Sequence, residues 1–388
     1  MKSLAVGVMA VAGLAAASNG QIIFQEIGRV SLINQFASAN NPGIGNSING
    51  VAWNGTDLYV AGFRNGGSNT NAGILRVNNA LVTGNANTAV FGSFPTISGR
   101  GYNGLALRGN TLLASYDSGS NDANGLAAYN LDATNTLRWN AGSSALGNAR
   151  GFAGPGFNPG AGGAGGLGSG ASFVVLGSNF ERTLNLTNGT GNASPSGFNN
   201  GVIAGPLGTT GNSGTNTTIS TNIRDIDFNP VTGDAYLRVN GNVVRVNRNS
   251  DGTYAPGTMI RSVLGLNTSY NAIANNVQFL NTNAYGDLVI FNDRRSTAPG
   301  QEFGVNTVIN TNGVLQNVQF LGTDGVSPFV AAGTTFGAAN YDFSWDAASQ
   351  TLAVSDATQN TVYIFAVPSP AGAALLGLGG LMVARRRR

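Results

Sequence analysis

The sequence has no cysteine and no histidine, and its only lysine is Lys2. Without cysteine no disulfide framework can form. Without either residue, a zinc site built on His or Cys is excluded, as is any nucleophile that relies on an imidazole base. Charge is scarce: Asp, Glu, Lys and Arg make up 10% of 388 residues. Only three glutamates occur, Glu26, Glu181 and Glu302, and none sits in a motif of known chemistry. There is also no long stretch of 3.6-residue apolar periodicity, which removes the usual support for a helical fold.

What is abundant is glycine, 58 residues, and asparagine, 50 residues. Asn-Gly occurs nine times between residues 21 and 366, starting at Asn49, Asn54, Asn65, Asn103, Asn124, Asn188, Asn200, Asn240 and Asn312. Both residues tolerate positive φ, so the pair suits two-residue turns between antiparallel strands. Short apolar or alternating runs lie between these turns, an all-β pattern. The runs recur as a unit. Gly50-Val51-Ala52-Trp53 is followed by Leu58 to Ala61, and Gly104 to Leu107 by Leu112 to Ser115. Asp225 to Phe228 is followed by Ala235 to Leu237, Asn276 to Phe279 by Leu288 to Phe291, and Asp342 to Trp345 by Leu352 to Ser355. The interval between 104 and 225 has room for a degenerate copy from Gly151-Phe152 through Phe173 to Leu176.

Most copies have room for further strands. Third strands are expected at Ile74 to Val77, Leu126 to Tyr129, Val243 to Val246 and Val362 to Phe365. Fourth strands are expected at Ala89 to Phe94, Leu137 to Trp139, Met259 to Leu264 and Val314 to Phe320. Four antiparallel strands per unit is the layout of a propeller blade. The expected fold is therefore a six-bladed β-propeller, with seven blades as the alternative count. The last unit lacks a fourth strand, and Gln25 to Ile33 is free to supply it and close the ring. Stacked β-sandwiches are the other architecture the pattern allows. Gly154 to Gly170 holds a formal GxGxxG at Gly160, Gly162 and Gly165. No strand-then-helix context surrounds it, so it reads as a flexible insertion rather than a dinucleotide site.

The two ends carry addresses. Residues 1–20 have a positive start at Lys2, an apolar run from Leu4 to Ala17 and small residues at Ala15, Ala17, Ser18 and Gly20, the pattern of a secretory signal peptide. Signal peptidase is then a partner. At the other end, Val367-Pro368-Ser369-Pro370 precedes an uncharged apolar run, Ala371 to Ala384, and the chain stops at Arg385, Arg386, Arg387 and Arg388. The run is short for a bilayer, and the arginines would stay on the cytoplasmic side. Residues 367–388 closely resemble the PEP-CTERM sorting signal of Gram-negative bacteria, with Ser369 where the family has Glu. The resemblance implies transient inner-membrane anchoring and processing by an exosortase, and with it a cell-surface or biofilm-matrix location. It says nothing about the body, residues 21–366. Once both addresses are set aside, the body keeps 15 Arg against 17 acidic residues, a net charge of −2. The whole chain's formal net charge of +3 therefore comes from the addresses, and nucleic acid is not an expected partner.

Candidate chemistry is sparse. Asp225, Asp227 and Asn229 have the alternate spacing that opens a calcium loop, but the sixth position is Pro230 and the twelfth Tyr236, so the EF-hand pattern fails. Asp225 and Asp227 share one strand face and remain the only metal candidates, for calcium. No other cofactor and no catalytic residue is assigned. Asp57, Asp117, Asp287 and Asp356 recur at second strands, which reads as repeat architecture. Trp53, Trp139 and Trp345 could stack on sugars, but the equivalent places of Trp53 and Trp345 in the repeat favour core packing. The functional expectation is an exported, non-enzymatic surface or matrix propeller that binds extracellular polysaccharide or surface proteins. The alternatives are a secreted carbohydrate-active hydrolase or lyase using carboxylates, and a passive matrix component.

Overall fold

The computed structural model describes residues 21–36, 45, 47–63, 72–84, 88–94, 101–117, 125–131, 137–142, 156–157, 172–176, 181–185, 223–239, 242–248, 257–262, 276–291, 308–331 and 341–368. The N-terminal strand β1 (Gln21–Ser31) leads into one helical turn at Ile33–Phe36. Then come β2 (Ser47–Trp53), β3 (Leu58–Phe63), β4 (Ala72–Val77) and β5 (Thr88–Phe94). These are followed by β6 (Gly101–Arg108), β7 (Thr111–Asp117), β8 (Gly125–Asn130) and β9 (Leu137–Gly142). The middle holds β10 (Gly156–Phe157), β11 (Ser172–Leu176), β12 (Glu181–Asn185), β13 (Ile223–Phe228), β14 (Ala235–Val239), β15 (Asn242–Val246) and β16 (Thr258–Ser262). The last are β17 (Val277–Thr282), β18 (Gly286–Phe291), β19 (Val308–Asn310), β20 (Asn317–Leu321), β21 (Tyr341–Asp346), β22 (Thr351–Asp356) and β23 (Thr361–Ala366).

These strands build a β-propeller, not stacked sandwiches. The expected count of six separate blades is corrected, because the described strands form five sheets. The units beginning at 50 and 104 are hydrogen-bonded into one eight-stranded sheet, joined where Phe63 of β3 pairs with Gly101 of β6. The degenerate unit forms the three-stranded sheet β10-β11-β12, in which Gly156 and Phe157 of the expected insertion pair with Val174 and Phe173. The rest of the Gly154–Gly170 stretch lies outside the described residues, as do residues 1–20 and 369–388.

The N-terminal strand closes the ring as its missing partner required. Gln25 to Ser31 of β1 pair antiparallel with Thr361 to Ala366 of β23. The same strand takes a second neighbour: Gln21 to Gln25 pair in parallel with Asn317 to Leu321 of β20. Here the fourth-strand expectation for Val314 to Phe320 is corrected. Val314 sits in the turn after β19, and β20 joins the following sheet, where Phe24 stacks on Phe320 with ring centroids 5.0 Å apart. The physical reason is apolar demand. Ile22, Phe24 and Phe320 fill one buried cluster with Leu280, Leu288, Ile290, Phe343, Leu352 and Phe365.

Every residue of β22 is buried because its sheet is covered on both faces. Leu352 and Val354 pack toward β17 and β18, while Ala353, with Val362 and Ile364, packs toward Val51, Trp53, Leu58 and Val60. Each Leu, Val or Ile among them contributes roughly 1.5–3 kcal/mol of burial. This supplies the stability that disulfides cannot.

The antiparallel order gives the ring two unlike faces. Turns 54–57, 229–234, 283–285 and 347–350, which end the first strand of each unit, lie on one face. Val367 leaves the body on that face, its N–H donating to Gln350 O at 3.1 Å. The first strands begin on the opposite face. Two Asn-Gly expectations are also corrected. Asn49-Gly50 and Asn103-Gly104 lie inside β2 and β6, at register shifts rather than turns. A Cβ on Gly50 would stand 2.8 Å from Gly104 Cα, so two first strands approach here as closely as glycine permits. Asn54-Gly55 and Asn312-Gly313 do form turns, with φ of 85° and 84° at the glycines.

Candidate functional site

Among the described residues, the first strands β2, β13, β17 and β21 each have one edge with no ladder partner, so backbone N–H groups there need acceptors from elsewhere. At two junctions, into β17 and into β2, side chains of the preceding unit supply them. Asp225 Oδ2 accepts from Val277 N–H at 2.8 Å, and Asp227 Oδ2 accepts from Phe279 N–H at 2.7 Å. Across the closing junction, Asp342 Oδ2 accepts from Val51 N–H at 2.7 Å and Ser344 Oγ from Trp53 N–H at 2.9 Å. Both junctions use side chains two residues apart on β13 or β21, and both satisfy N–H groups two residues apart on the next first strand. Period 2 puts each pair on one face, as the sequence implied for Asp225 and Asp227. The matching pair at Asp342 and Ser344 was visible in the aligned repeats, at the same unit positions, but carried no motif.

Amides complete the belt. Asn276 Nδ2 donates to Asp342 Oδ1 at 2.5 Å, and Gln278 Nε2 donates to Asp227 Oδ2. Asn49 Nδ2 donates to Tyr102 O at 3.1 Å. Ser355 Oγ accepts from Asp342 N–H at 2.9 Å.

The belt is electrostatically strained. Burial pushes the Asp342 carboxyl up to about 7, although the Val51 N–H and the Asn276 amide favour its ionised form. Withdrawal from water likewise raises Asp227 to about 7, against the Phe279 and Phe228 N–H groups and the charge of Arg108. Asp225 is raised well above the ordinary carboxylate range, first by burial and then by the neighbouring charge of Asp342. Three acids near one axis therefore titrate far above their ordinary value.

The calcium candidates Asp225 and Asp227 are thus brought together, each with one oxygen held by β17. Among the described residues no group of three or more Asp or Glu side chains could hold a metal ion. The recurrent aspartates do not converge. Asp57 binds Arg76 at 2.5 Å, Asp287 accepts from Asn229 Nδ2 at 3.2 Å, and Asp356 caps the Thr358 and Gln359 N–H groups. The Asp117 side chain lies outside the described residues. Trp53 is buried, its Nε1–H donating to Thr351 Oγ1 at 2.7 Å, and Trp345 Nε1–H donates to Asn281 Oδ1 at 2.8 Å. Both serve packing. The Trp139 side chain lies outside the described residues. So does the sorting motif beyond Val367 and Pro368. Among the described residues no helix is long and apolar enough to cross a membrane.

No protein-family model matches the chain, and no curated protein matches it. Among solved structures, it is similar to an auxiliary nutrient binding protein from Bacteroides thetaiotaomicron. The two share 10% identity with a TM-score of 0.50, over 83% of this chain and 69% of that one. An auxiliary nutrient binding protein from Bacteroides ovatus is 14% identical with a TM-score of 0.47, over 82% of this chain and 69% of that one. The likeness is one of fold.

Proposed function

We propose that this chain is an exported surface or matrix protein whose propeller is a non-enzymatic module binding glycan or protein partners. The observation that carries the reading is the employment of its acidic side chains. Glu26 is paired with Arg29, Asp57 with Arg76 and Asp234 with Arg245. Asp324, Asp346 and Asp356 hold turn N–H groups, Asp287 binds Asn229, and Asp225, Asp227 and Asp342 bind the next unit. A glycosidase needs one carboxyl to donate a proton and a second, free, to act as nucleophile or base. Each acid whose side chain is described is committed to holding the fold; the side chains of Asp117 and Glu181 lie outside the description. The raised values of Asp227 and Asp342 are the one feature that favours the hydrolase, and their backbone partners count against it. The name of the Bacteroides thetaiotaomicron neighbour agrees with binding as the role.

Screening residues 21–368 on a glycan array tests the reading. Binding of an uncharged polysaccharide without cleavage is expected. Turnover of any polysaccharide, with no stable binding, would sink it.

Export and sorting belong to the same proposal, with 1–20 as the signal peptide and 367–388 as an exosortase-processed anchor. Val367 is buried and bonded to Gln350 O, so only residues from Pro368 onward are available as a tether. In a Gram-negative host the full chain should be retained at the inner membrane before release. The chain ending at 368 should go to the medium directly. Identical partitioning of the two would refute the sorting signal.

A further inference from the structure

Where the tether leaves the body decides which face of the propeller meets the membrane. β23 ends at Ala366 and Val367 is fixed in the core, while the apolar run begins at Ala371. Even fully extended, the path from Val367 to Ala371 spans at most about 14 Å. A propeller held by so short a link cannot turn its far face toward the bilayer.

The exit face has a second property. The connection after β4 carries Leu81 and Val82, 42% and 87% exposed. The turn after β13 carries Val231, 85% exposed, and the turn after β19 carries Val314, 58% exposed. All three connections lie on the exit face, because each joins strands at the same end as the 347–350 turn. Large apolar side chains so fully in water on turns gain by burial in a headgroup layer.

We infer that this turn face is a membrane-docking surface, apposed to the bilayer while the chain is anchored, with Leu81, Val82, Val231 and Val314 in contact with the interface. The occupant is the outer surface of the membrane that holds residues 371–384. The opposite face, where β2, β13, β17 and β21 begin and where Asn49 and Asn276 lie, then points outward and is free for ligand during retention. The inference rests on the anchoring proposed above.

The absence of cysteine makes the test clean, since a single introduced thiol is the only one present. Val231→Cys reports the docking face. Thr358→Cys, exposed on the turn between β22 and β23, reports the opposite face. Each full-length variant is expressed and membranes are isolated. The rate of modification by a membrane-impermeant maleimide is then measured, and each rate is normalised to the same variant in urea. If about nine molecules in ten lie face-down, labelling at 231 slows about tenfold while 358 is unaffected. Val314→Cys should behave as Val231→Cys does. Equal normalised rates at 231, 314 and 358 in membrane-retained protein would overturn the docking face. Recovery of the full chain in the soluble fraction would instead overturn the anchor, so the two failures are distinguishable.

Discussion

Raising the pH through neutrality should weaken this fold, the reverse of the usual behaviour of buried carboxylates in ion pairs. Asp342 and Asp227 titrate at about 7 in the folded chain and at about 3.9 when unfolded. A raised acid binds its proton more tightly when folded, so the folded state holds more protons between these values and stability falls as pH rises across that window. Above about 8 both states are ionised and the burial penalty is fully present. Moving from pH 8 to pH 5 restores at most about 3 kcal/mol for each group, since each pH unit between the two titrations is worth roughly 1 kcal/mol or a little more. Coupling between Asp342 and Asp225, and relaxation around a charged belt, reduce the sum, so a total gain of about 3 kcal/mol is expected. A protonated carboxyl still offers its carbonyl oxygen to the Val51 or Phe279 N–H, so acid removes the penalty without removing the contact. Asp324, held below its ordinary value by the Ser327 hydroxyl and nearby N–H groups, acts in the opposite sense only at lower pH.

Urea unfolding of residues 21–368, followed by tryptophan fluorescence, to which the buried Trp53 contributes, measures this at pH 5, 6, 7 and 8. The midpoint should fall steadily from 5 to 8. Asp227→Asn keeps an acceptor for Phe279 N–H and carries no charge, so it should flatten part of the slope and raise the midpoint most at pH 8. A midpoint that is level or rises with pH, or a slope that Asp227→Asn leaves unchanged, would refute the reasoning.

Other substitutions test the packing. Gly50→Ala forces a Cβ to within 2.8 Å of Gly104 Cα, backbone that cannot step aside cheaply, and should cost about 1–3 kcal/mol by urea midpoint. Gly84→Ala meets no neighbour but must hold φ 56° with ψ −130°, backbone that L side chains rarely adopt, and should cost about 1–3 kcal/mol through strain alone. Phe24→Ala removes the ring stacked on Phe320 and should destabilise by about 3–5 kcal/mol, with amide exchange rising first in β1 and β20. Thr351→Val leaves the buried Trp53 Nε1–H without its acceptor and should cost about 1–3 kcal/mol in thermal unfolding.

The strands were legible because their pattern is set by local chemistry. Leu352-Ala353-Val354 and Val243 to Val246 read as strands from β-branched and apolar content alone, and their places in the repeat gave the meander order. Ring closure by β1 was legible for a different reason, since an unpartnered apolar strand and a unit short of one strand imply each other. The merged sheet was not legible, because it turns on a single backbone pair between Phe63 and Gly101 that no side-chain pattern records. Asn-Gly misled at 49 and 103 because glycine answers two demands that look alike in sequence. At Gly55 it permits positive φ, whereas at Gly50 it permits close approach to Gly104.

The belt was hidden in plain view. Asp225, Asn276 and Asp342 occupy one position of the repeat, and Asp227, Gln278 and Ser344 another, yet their chemical types differ. A motif search looks for identity and finds none. The shared demand is for an oxygen aimed at the bare edge of the next strand, which Asp and Ser meet directly and the amides of Asn276 and Gln278 support by binding those acids. Read that way, Asp225 and Asp227 owe their spacing to the two-residue period of the strand they hold, the same period that made them resemble the start of a calcium loop.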